Sequence, residues 1–372
     1  MSKQLQKYAS IPLKQLSNRV WRTYEGGALI DKWKKTSPEK DGSMPEEWIM
    51  STITARGKGR PKNEGLSLIE TTDGVLPLKA LIDSNTELYL GTALAEKYGT
   101  TGVLIKMLDS MERLTVQVHP DKQYARTVFN SAFGKTESWY VLNTREIDGE
   151  KSVVYMGFKK HVTKEIWKAH FDHQNIQGML DCLHKIEVKA GDAFMIYGGV
   201  PHAIGAGCFL MEVQEPTDYT MRVEKTTPNG LKIGPELIHQ GVGEAKMLEC
   251  FHYDTHTLEE AMDNWKITPE VLESSNEFTL KTLFNEKHTN CFGLNELLLD
   301  GSHTIQGNSS FYAAVIYSGD GTMICNGNEY EYTQGDEIFI SAAIYMNLMS
   351  KEQIADLANL PLETNNNEEH EK

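Results

Sequence analysis

The chain has 372 residues, of which 40% are hydrophobic and 24% are charged, a composition typical of a globular protein and not of a disordered one. This length is sufficient for two domains of ordinary size. The formal net charge of -15 argues against nucleic acid as the main partner. An anionic small molecule is not excluded, because a few converging Lys and Arg side chains can form a positive pocket locally.

The cysteines and the N-terminal residues bear on the cellular compartment of the protein. Five cysteines are scattered along the sequence without any CxxC pair, which predicts reduced thiols in a cytoplasmic protein. Residues 1–20 lack the apolar segment of a signal peptide, and no run approaches 18 apolar residues. We therefore expect neither a signal peptide nor a membrane partner. Residues 361–372 are polar and acidic and are predicted to form a disordered tail.

The first hundred residues mix short apolar runs, aromatic residues and turn signals. Aromatic side chains at this density usually pack in a core, although one of them, Trp48, is a candidate for the border of a ligand pocket. Two helical stretches are predicted between residues 66 and 99, the second over residues 92–98 with Gly99 as its C-cap. Residues 102–108 then form a predicted buried strand.

Residues 114–120 alternate strictly between apolar and polar side chains, which predicts a half-buried strand that ends at Pro120. Its polar face carries a hydroxyl, an amide and an imidazole, from Thr115, Gln117 and His119. A strand that only separates a core from water rarely needs this set. We therefore hypothesise that Gln117 and His119 reach a metal site inside a β-barrel.

The rest of the chain is predicted to be mainly β with some helices. Helical patterns cover residues 121–129 and 162–183, the second with Thr163 as a possible N-cap. Strands are predicted at residues 137–142, 185–188, 193–196, 208–214, 219–223 and, as several short segments, 311–348. Short strands with frequent turns indicate a sandwich or a barrel. Residues 228–308 show no clear pattern.

One segment of the second β-region resembles a segment of the first. Residues 191–202 can be aligned with residues 335–346, so that a Gly-Asp opening recurs and Met346 stands where His202 stands. One short match is weak support for a duplication. If it holds, the second barrel has lost a metal-binding residue and is structural. We expect a catalytic domain over residues 1–240, including the N-terminal segment, and a second domain over residues 241–360.

Several polar side chains are candidates for one site. Isolated residues such as His119 and Glu137 are more often ordinary hydrogen-bonded or solvated side chains than ligands. His202, however, follows a Gly-Gly turn that lets the backbone approach closely. Glu212 and Arg222 are predicted to lie on the polar faces of later strands. Because a buried charge costs several kcal/mol unless it is paired, such an array indicates a site and not an inert core.

In their order, these residues resemble the type I phosphomannose isomerases, which are zinc-dependent enzymes of the cupin family. The Q-V-H-P-D motif of the family is present at residues 117–121. The other matching positions are Lys106, Asp109, residues 134–137, residues 157–159, residues 162–164, residues 202–205, Glu212 and Arg222. The clear resemblance covers about residues 100–225, and the remaining regions match more loosely.

The resemblance implies a mainly β fold of two cupin-type (jelly-roll) β-barrels with some helices, the catalytic barrel first and the second without metal. It implies one Zn²⁺ per chain. The residues that match the zinc ligands of the family are Gln117, His119, Glu137 and His202. None of the departures from the family pattern, such as Tyr197-Gly198-Gly199 before His202, changes a ligand.

The resemblance also implies roles at the substrate. Arg222 matches the essential active-site arginine, and Lys135 and Glu212 match residues that line the substrate site. Lys106 and Thr115 lie where the family contacts the substrate phosphate, and the family commonly has Ser in place of Thr115. Residues 224–226 also depart from the family pattern, which bears on substrate specificity.

The implied reaction interconverts mannose 6-phosphate and fructose 6-phosphate through an enediolate. The catalytic base is not identified by the sequence, and Glu212 and Lys135 are both candidates. Two alternatives stay open, an isomerase of another sugar or sugar phosphate and a non-catalytic sugar-binding cupin. The second alternative would need neither Arg222 nor Lys135. The expected partner is a phosphorylated hexose, and the expected state is a monomer or a weak homo-oligomer.

Overall fold

The computed structural model describes residues 2–57, 59–305, 310–344 and 346–350, so the predicted acidic tail lies outside the described residues. The fold is mainly β with short helices, as the sequence predicts. In the part of the chain that is described, no helix has both the length and the apolar character needed to cross a membrane.

The strands before residue 268 include all members of the two largest sheets. They are β1 (Leu13–Lys14), β2 (Arg19–Val20), β3 (Glu46–Ile49), β4 (Leu68–Thr71), β5 (Gly74–Pro77), β6 (Leu104–Asp109), β7 (Gln117–Val118), β8 (Glu137–Thr144), β9 (Val153–Lys159), β10 (Leu183–Glu187), β11 (Ala193–Ile196), β12 (His202–Ile204), β13 (Cys208–Gln214), β14 (Met221–Arg222), β15 (Thr255–His256) and β16 (Lys266–Ile267).

The later strands build smaller sheets. They are β17 (Glu270–Ser274), β18 (Phe278–Phe284), β19 (Leu294–Leu299), β20 (Ser302–Ile305), β21 (Tyr312–Val315), β22 (Asp320–Cys325), β23 (Asn328–Thr333), β24 (Glu337–Ile340) and β25 (Met346–Ser350). The helices are α1 (Ser2–Leu5), a 3₁₀ helix (Gln6–Ser10), α2 (Ala28–Trp33), α3 (Leu78–Ser84), α4 (Thr86–Leu90), α5 (Thr92–Lys97), α6 (Lys122–Phe129), α7 (Lys164–Asp172), α8 (Ile176–Asp181), α9 (Pro235–Ile238), α10 (Glu244–Glu249) and α11 (Leu258–Trp265).

Two large sheets pack face to face. The seven-stranded sheet has the order β16-β11-β8-β13-β6-β3-β2, and the six-stranded sheet has the order β10-β9-β12-β7-β14 with β15 beside β9. Their facing sides share one apolar core that includes Trp139, Met156 and Leu210. Over the described residues neither sheet closes on itself, so the two barrels implied by the resemblance stay a prediction.

The outer faces of both sheets are buried as well. Met107 and Met211 of the seven-stranded sheet pack against α3 and α4, and Val116 and Val118 pack beneath α7, α8 and α10. Residues 114–120 are therefore not half-buried, because both sides of this stretch are covered. Only Gln117–Val118 form a strand within it, and Leu114 packs between the two sheets.

Other predicted elements differ in their bounds. The predicted helix over residues 162–183 is divided into α7 and α8, because the chain takes a left-handed conformation at Gln174 (φ +49°) and Asn175 caps the second helix. Thr163 caps α7, as the sequence predicts. The predicted strand over residues 219–223 is shortened to β14, whereas the bounds predicted for β11 and β13 are confirmed.

A repeat relates two groups of six strands. The order β7-β12-β9-β10 in the six-stranded sheet is matched by β20-β25-β22-β23 in a four-stranded sheet, and the pair β8–β11 is matched by β21–β24. The turns before β11 and β24 both contain a glycine with positive φ, Gly191 at +90° and Gly335 at +92°. His202 begins β12, and Met346 begins β25. The short sequence match thus extends to the topology of six strands.

Candidate functional site

Three candidate ligands converge between the two large sheets. Glu137 begins β8 in one sheet, whereas His202 begins β12 and His119 follows β7 in the other. All three side chains are buried, with at most 1% of the residue exposed. Their potential ligand atoms lie within 4.8 Å of one another. The structure therefore brings together three of the four predicted metal ligands.

The hydrogen bonds of the two imidazoles aim their Nε2 atoms at one point. His119 Nδ1 lies 2.9 Å from the carbonyl oxygen of Tyr219, and His202 Nδ1 lies 2.9 Å from that of Val200. A neutral imidazole that donates from Nδ1 is left with Nε2 as an acceptor. The two Nε2 atoms are 3.1 Å apart, and Glu137 lies 3.0 Å from that of His119.

The electrostatics suit a divalent cation. Burial, together with the Lys135 ammonium, lowers the pKa of His119 to about 3, and burial lowers the pKa of His202 too. Burial alone would raise the pKa of Glu137, but Lys135 and His119 outweigh it and hold this pKa well below its usual range. The site thus contains two neutral imidazoles and one carboxylate.

These donors fit zinc. Zn–N bonds of about 2.0–2.1 Å in tetrahedral geometry place ligand atoms roughly 3.3 Å apart, close to the separations found here. Acceptors that face one another at such distances repel unless a cation lies among them, and in this structure the Lys135 ammonium lies 2.9 Å from His119 Nε2. Gln117, the fourth predicted ligand, is paired with His202 in the strand register and is 7% exposed.

Glycines bring the surrounding loops close to His119. Lys135 N donates to the carbonyl of Pro120 at 2.9 Å, and a Cβ on Gly134 would lie only 2.7 Å from the same oxygen. This approach places Lys135 Nζ 2.9 Å from His119 Nε2 and 3.1 Å from Glu137. Lys135 therefore lies directly beside the candidate ligands.

The turn before His202 is hydrogen-bonded to the segment that carries His119. Gly199 N donates to the carbonyl of His119 at 2.8 Å. A Cβ on Gly199 would lie 2.4 Å from the ring of His252, and one on Gly198 would lie 2.5 Å from the backbone of Asp121. Gly198, which departs from the family pattern, and Gly199 thus both permit the close packing of the two ligand-bearing segments.

A buried charged network continues from the candidate ligands. Lys106 Nζ donates to Glu212 at 2.7 Å, and the indole of Trp139 contacts both Glu212 (3.3 Å) and Glu137 (3.1 Å). Burial and the charge of Glu137 raise the pKa of Glu212. Although burial opposes it, the carboxylates of Glu212 and Glu46 raise the pKa of Lys106. Glu212 and Lys106 thus form a buried ion pair one indole away from Glu137.

The sequence interpretation missed Glu46, which lies at the centre of this network. Its carboxylate accepts hydrogen bonds from Arg22 Nε (2.7 Å), Tyr24 OH (2.9 Å) and Trp48 Nε1 (2.7 Å). These donors and Lys106 overcome the effect of burial and lower the pKa of Glu46 to about 2. The sequence feature that could have indicated Glu46 is its position two residues before Trp48 in the short strand β3, which places both side chains on the same face.

Two predicted residues lie apart from the three ligands. In the described part of the chain, the Arg222 guanidinium donates to the carbonyls of Leu237 (2.8 Å) and Thr220 (3.3 Å) and lines a small cavity. Burial lowers the pKa of Arg222 to about 10. Thr115 is buried just before β7. The sequence alone did not show where Arg222 and Thr115 lie relative to the three ligands.

The departure at residues 224–226 has a structural counterpart. Glu224 accepts two hydrogen bonds from the Arg113 guanidinium, at 2.6 and 2.9 Å, and one from Val116 N at 2.6 Å. It is 1% exposed. Glu224 therefore anchors the segment that leads into β7.

Comparisons with known proteins agree with this fold. No family model matches the chain. It is 24% identical to the mannose-6-phosphate isomerase ManA of Bacillus subtilis over 245 residues, which are 64% of this chain and 68% of that protein. It is 35% identical to the mannose-6-phosphate isomerase of Streptococcus mutans over 151 residues, which are 40% of this chain and 43% of that protein.

Solved structures resemble the chain over most of its length. The crystal structure of the mannose 6-phosphate isomerase from Bacillus subtilis has a TM-score of 0.68 at 21% identity and covers 91% of this chain and 96% of its own. A mutant phosphomannose isomerase from Salmonella typhimurium has a TM-score of 0.66 at 15% identity, with coverage of 91% and 96%. The resemblance predicted from the sequence is confirmed: the chain is similar in sequence to mannose-6-phosphate isomerases and has the fold of the phosphomannose isomerases.

Proposed function

We propose that the protein is a metal-dependent aldose–ketose isomerase that interconverts mannose 6-phosphate and fructose 6-phosphate. The observation that carries this proposal is the convergence of His119, Glu137 and His202 in a buried gap, beside a charged network. The names of the relatives suggest the sugar phosphate. A non-catalytic binding module would not need this many buried charges beside its ligand.

One zinc ion per chain would be held by His119, Glu137 and His202, with Gln117 as the fourth ligand. Gln117 is the strand neighbour of both His202 and Arg222, which supports its inclusion. Zinc would supply Lewis-acid polarisation of the sugar oxygens.

The side chains around the ligands would transfer the proton and stabilise negative charge. A proton must move between C2 and C1 of the ring-opened sugar, and we propose Glu212 or Lys135 as the group that carries it. Lys135 lies 2.9 Å from an imidazole nitrogen and forms an ion pair with Glu137, and its ammonium group suits a hydrogen-bond donor to a sugar oxygen. Glu212 is a carboxylate and therefore the candidate that can accept the proton. Arg222 would stabilise negative charge that develops on the sugar.

Lys106 and Thr115 were expected to contact the substrate phosphate, and this role stays a proposal. Lys106 Nζ already lies 2.7 Å from Glu212 and 3.7 Å from Glu46. If Lys106 binds the phosphate, its ammonium group must contact the phosphate and the two carboxylates at the same time.

The repeat supports the finer architecture that we propose. The two large sheets would form one cupin-type jelly roll, and β20–β25 would form the second, metal-free one. The domains would span residues 1–240 and 241–360. Three strand pairings cross this boundary, β1 with β24, β11 with β16 and β9 with β15, so the domains would be closely joined.

Metal removal tests the proposed function. Isomerisation of mannose 6-phosphate should be lost on chelation and restored by zinc. His202→Ala should lose bound metal, measured by elemental analysis, while the protein stays folded. His184→Ala is the matched control, because this buried histidine bonds a backbone carbonyl outside the site. Activity that is indifferent to chelation, or full metal content in His202→Ala, would contradict the proposal.

A coupled assay over several sugar phosphates and free sugars separates the remaining alternatives. Turnover of mannose 6-phosphate well above that of the others supports the proposal. Preferred turnover of another sugar would identify a different isomerase, and binding without turnover of any sugar would identify a binding module.

A further inference from the structure

A small cavity beside the charged network carries three guanidinium groups. Its lining includes Arg22, Arg56 and Arg222 together with Trp21, Asp218 and Gln240. The lining has three arginines and one aspartate, so positive charge is in excess there although the formal net charge of the chain is -15. Such a concentration of positive charge favours a dianion.

Arg22 has a donor without an acceptor in this cavity. The residue is 8% exposed; its Nε donates to Glu46 at 2.7 Å and its Nη1 to the carbonyl of Trp21 at 3.1 Å. Among the described residues, its Nη2 has no hydrogen-bond acceptor and lies 3.7 Å from Asp218. A buried donor left unpaired is costly, so this N–H indicates a ligand that accepts hydrogen bonds.

Arg56 lies at the exposed end of the cavity. Its guanidinium donates to Gln240 at 2.9 Å and lies 4.4 Å from the centre of the Tyr219 ring. Arg56 is exposed, so its positive charge lies at the surface beside the cavity. The entrance to the cavity is thus suited to attracting an anion.

Two residues join the cavity to the candidate metal ligands. The carbonyl of Thr220 accepts from Arg222 and Gln240, whereas its hydroxyl lies 3.4 Å from Lys135 Nζ. Glu46 binds Arg22 on the side of the cavity and lies 3.7 Å from Lys106 on the other. Thr220 and Glu46 thus separate the arginines of the cavity from Lys135 and Lys106 by one residue.

We propose that Arg22 and Arg56 bind the phosphate group of the substrate and thereby select a phosphorylated sugar over a free one. Arg22 Nη2 is a guanidinium donor without a hydrogen-bond acceptor in the described part of the chain, whereas Lys106 Nζ lies between two carboxylates. This inference rests on the proposed function in so far as the anion is taken to be part of a sugar phosphate.

Steady-state kinetics of Arg56→Ala and Arg22→Lys test the inference. Arg22→Lys keeps a positive charge beside Glu46 but removes the fork that lines the cavity. Both substitutions should raise KM for mannose 6-phosphate about tenfold or more, with kcat within about twofold, because a charge-assisted contact to phosphate is lost. The inhibition constant of inorganic phosphate should rise by the same factor. Lys62→Ala removes an exposed charge that does not line the cavity, so it is the control and should leave both constants unchanged.

Calorimetric titration of inorganic phosphate into the chelated protein gives a readout without turnover. Weaker binding in both variants than in Lys62→Ala supports the anion site even if the wild type isomerises no sugar, an outcome that would contradict only the proposed function. Phosphate binding and KM equal to those of the wild type in both variants would overturn the inference while leaving the proposed function intact.

Discussion

The two groups of six strands share a topology but differ in what they enclose. In the first group, β7–β12, strand pairing sets His202 opposite Gln117 and Ile196 opposite Glu137. In the second group, β20–β25, the equivalent pairings set Met346 opposite Ile305 and Ile340 opposite Tyr312. Positions that carry three predicted ligands in the first group thus carry Ile, Tyr and Met in the second.

The difference extends to the cores. Ile305 and Tyr312 pack against an apolar cluster of the second group that includes Met323 and Ile338. Within the described residues, His119, Glu137 and His202 are the one group of three or more His, Cys, Asp or Glu side chains placed to hold a metal. Strand order and turns therefore specify the fold, and a few substitutions at equivalent positions decide whether it holds a site.

Loss of a ligand should have the largest effect and should be confined to the first group. Glu137→Gln is expected to lower isomerase activity by more than the roughly 10- to 100-fold typical of changes outside the ligand shell. Tyr312→Phe, at the equivalent position of the second group, should leave activity within about twofold. Turnover and metal content measure both variants, and equal losses would contradict the comparison.

The buried ion pair should be the next most sensitive feature. Lys106→Met leaves Glu212 without its ammonium partner and is expected to destabilise the fold by about 3–5 kcal/mol. Urea unfolding measures the change in the free energy of unfolding. Lys151→Met, which breaks an exposed pair with Glu187, is the control and should unfold like the wild type. Equal stabilities for the two variants would show that burial does not distinguish the pairs.

A carboxylate gives the second group a pH dependence of its own. Glu337 begins β24 where Ala193 begins β11, and it lies against Lys34 (2.7 Å), Gln15 (2.6 Å) and the charges of Glu47 and Asp336. Burial and the charge of Glu47 raise the pKa of Glu337 well above its usual range. The folded state then binds the proton more tightly than the unfolded state, so this stabilisation is present below the unfolded pKa and is lost as pH rises through the folded pKa.

Glu337→Gln should therefore flatten the fall in unfolding free energy as pH rises above about 4.5, by at most about 1.4 kcal/mol per pH unit. Urea unfolding at several pH values between 5 and 8 measures this slope. Glu329→Gln, an exposed substitution on β23, serves as the control. An unchanged slope in Glu337→Gln would show that this carboxyl titrates alike in both states.

The smallest effects are expected at the two equivalent turns. Gly191→Ala should cost about 1 kcal/mol, because its φ of +90° disfavours a side chain although no atom lies within 4 Å of the added Cβ. Gly335→Ala should cost more, because its Cβ would also lie 3.2 Å from Lys34 Cα. Thermal unfolding ranks the variants, and a larger cost at Gly191 would contradict the predicted order.

Much of the fold was predictable from local pattern. The bounds of β11 and β13 were predicted because each is a continuous or alternating apolar run between turn residues. The same alternation placed Leu210 and Glu212 on the inner face of β13, which the structure confirms for Leu210 by its packing and for Glu212 by its ion pair. The break at Gln174 was missed, because helical periodicity continues on both sides of it.

The candidate ligands were identified from separated motifs that occur in the order of the family, and the structure brings three of these ligands together. The network around them was not predictable in the same way. Arg22, Glu46, Lys106 and Glu212 come from separate segments, and strand pairing across the seven-stranded sheet is what aligns the last three. Local patterns specify which face of a strand a side chain occupies. They contain no information about which distant strand will be its neighbour, so the partners of a buried charge depend on the assembled sheets.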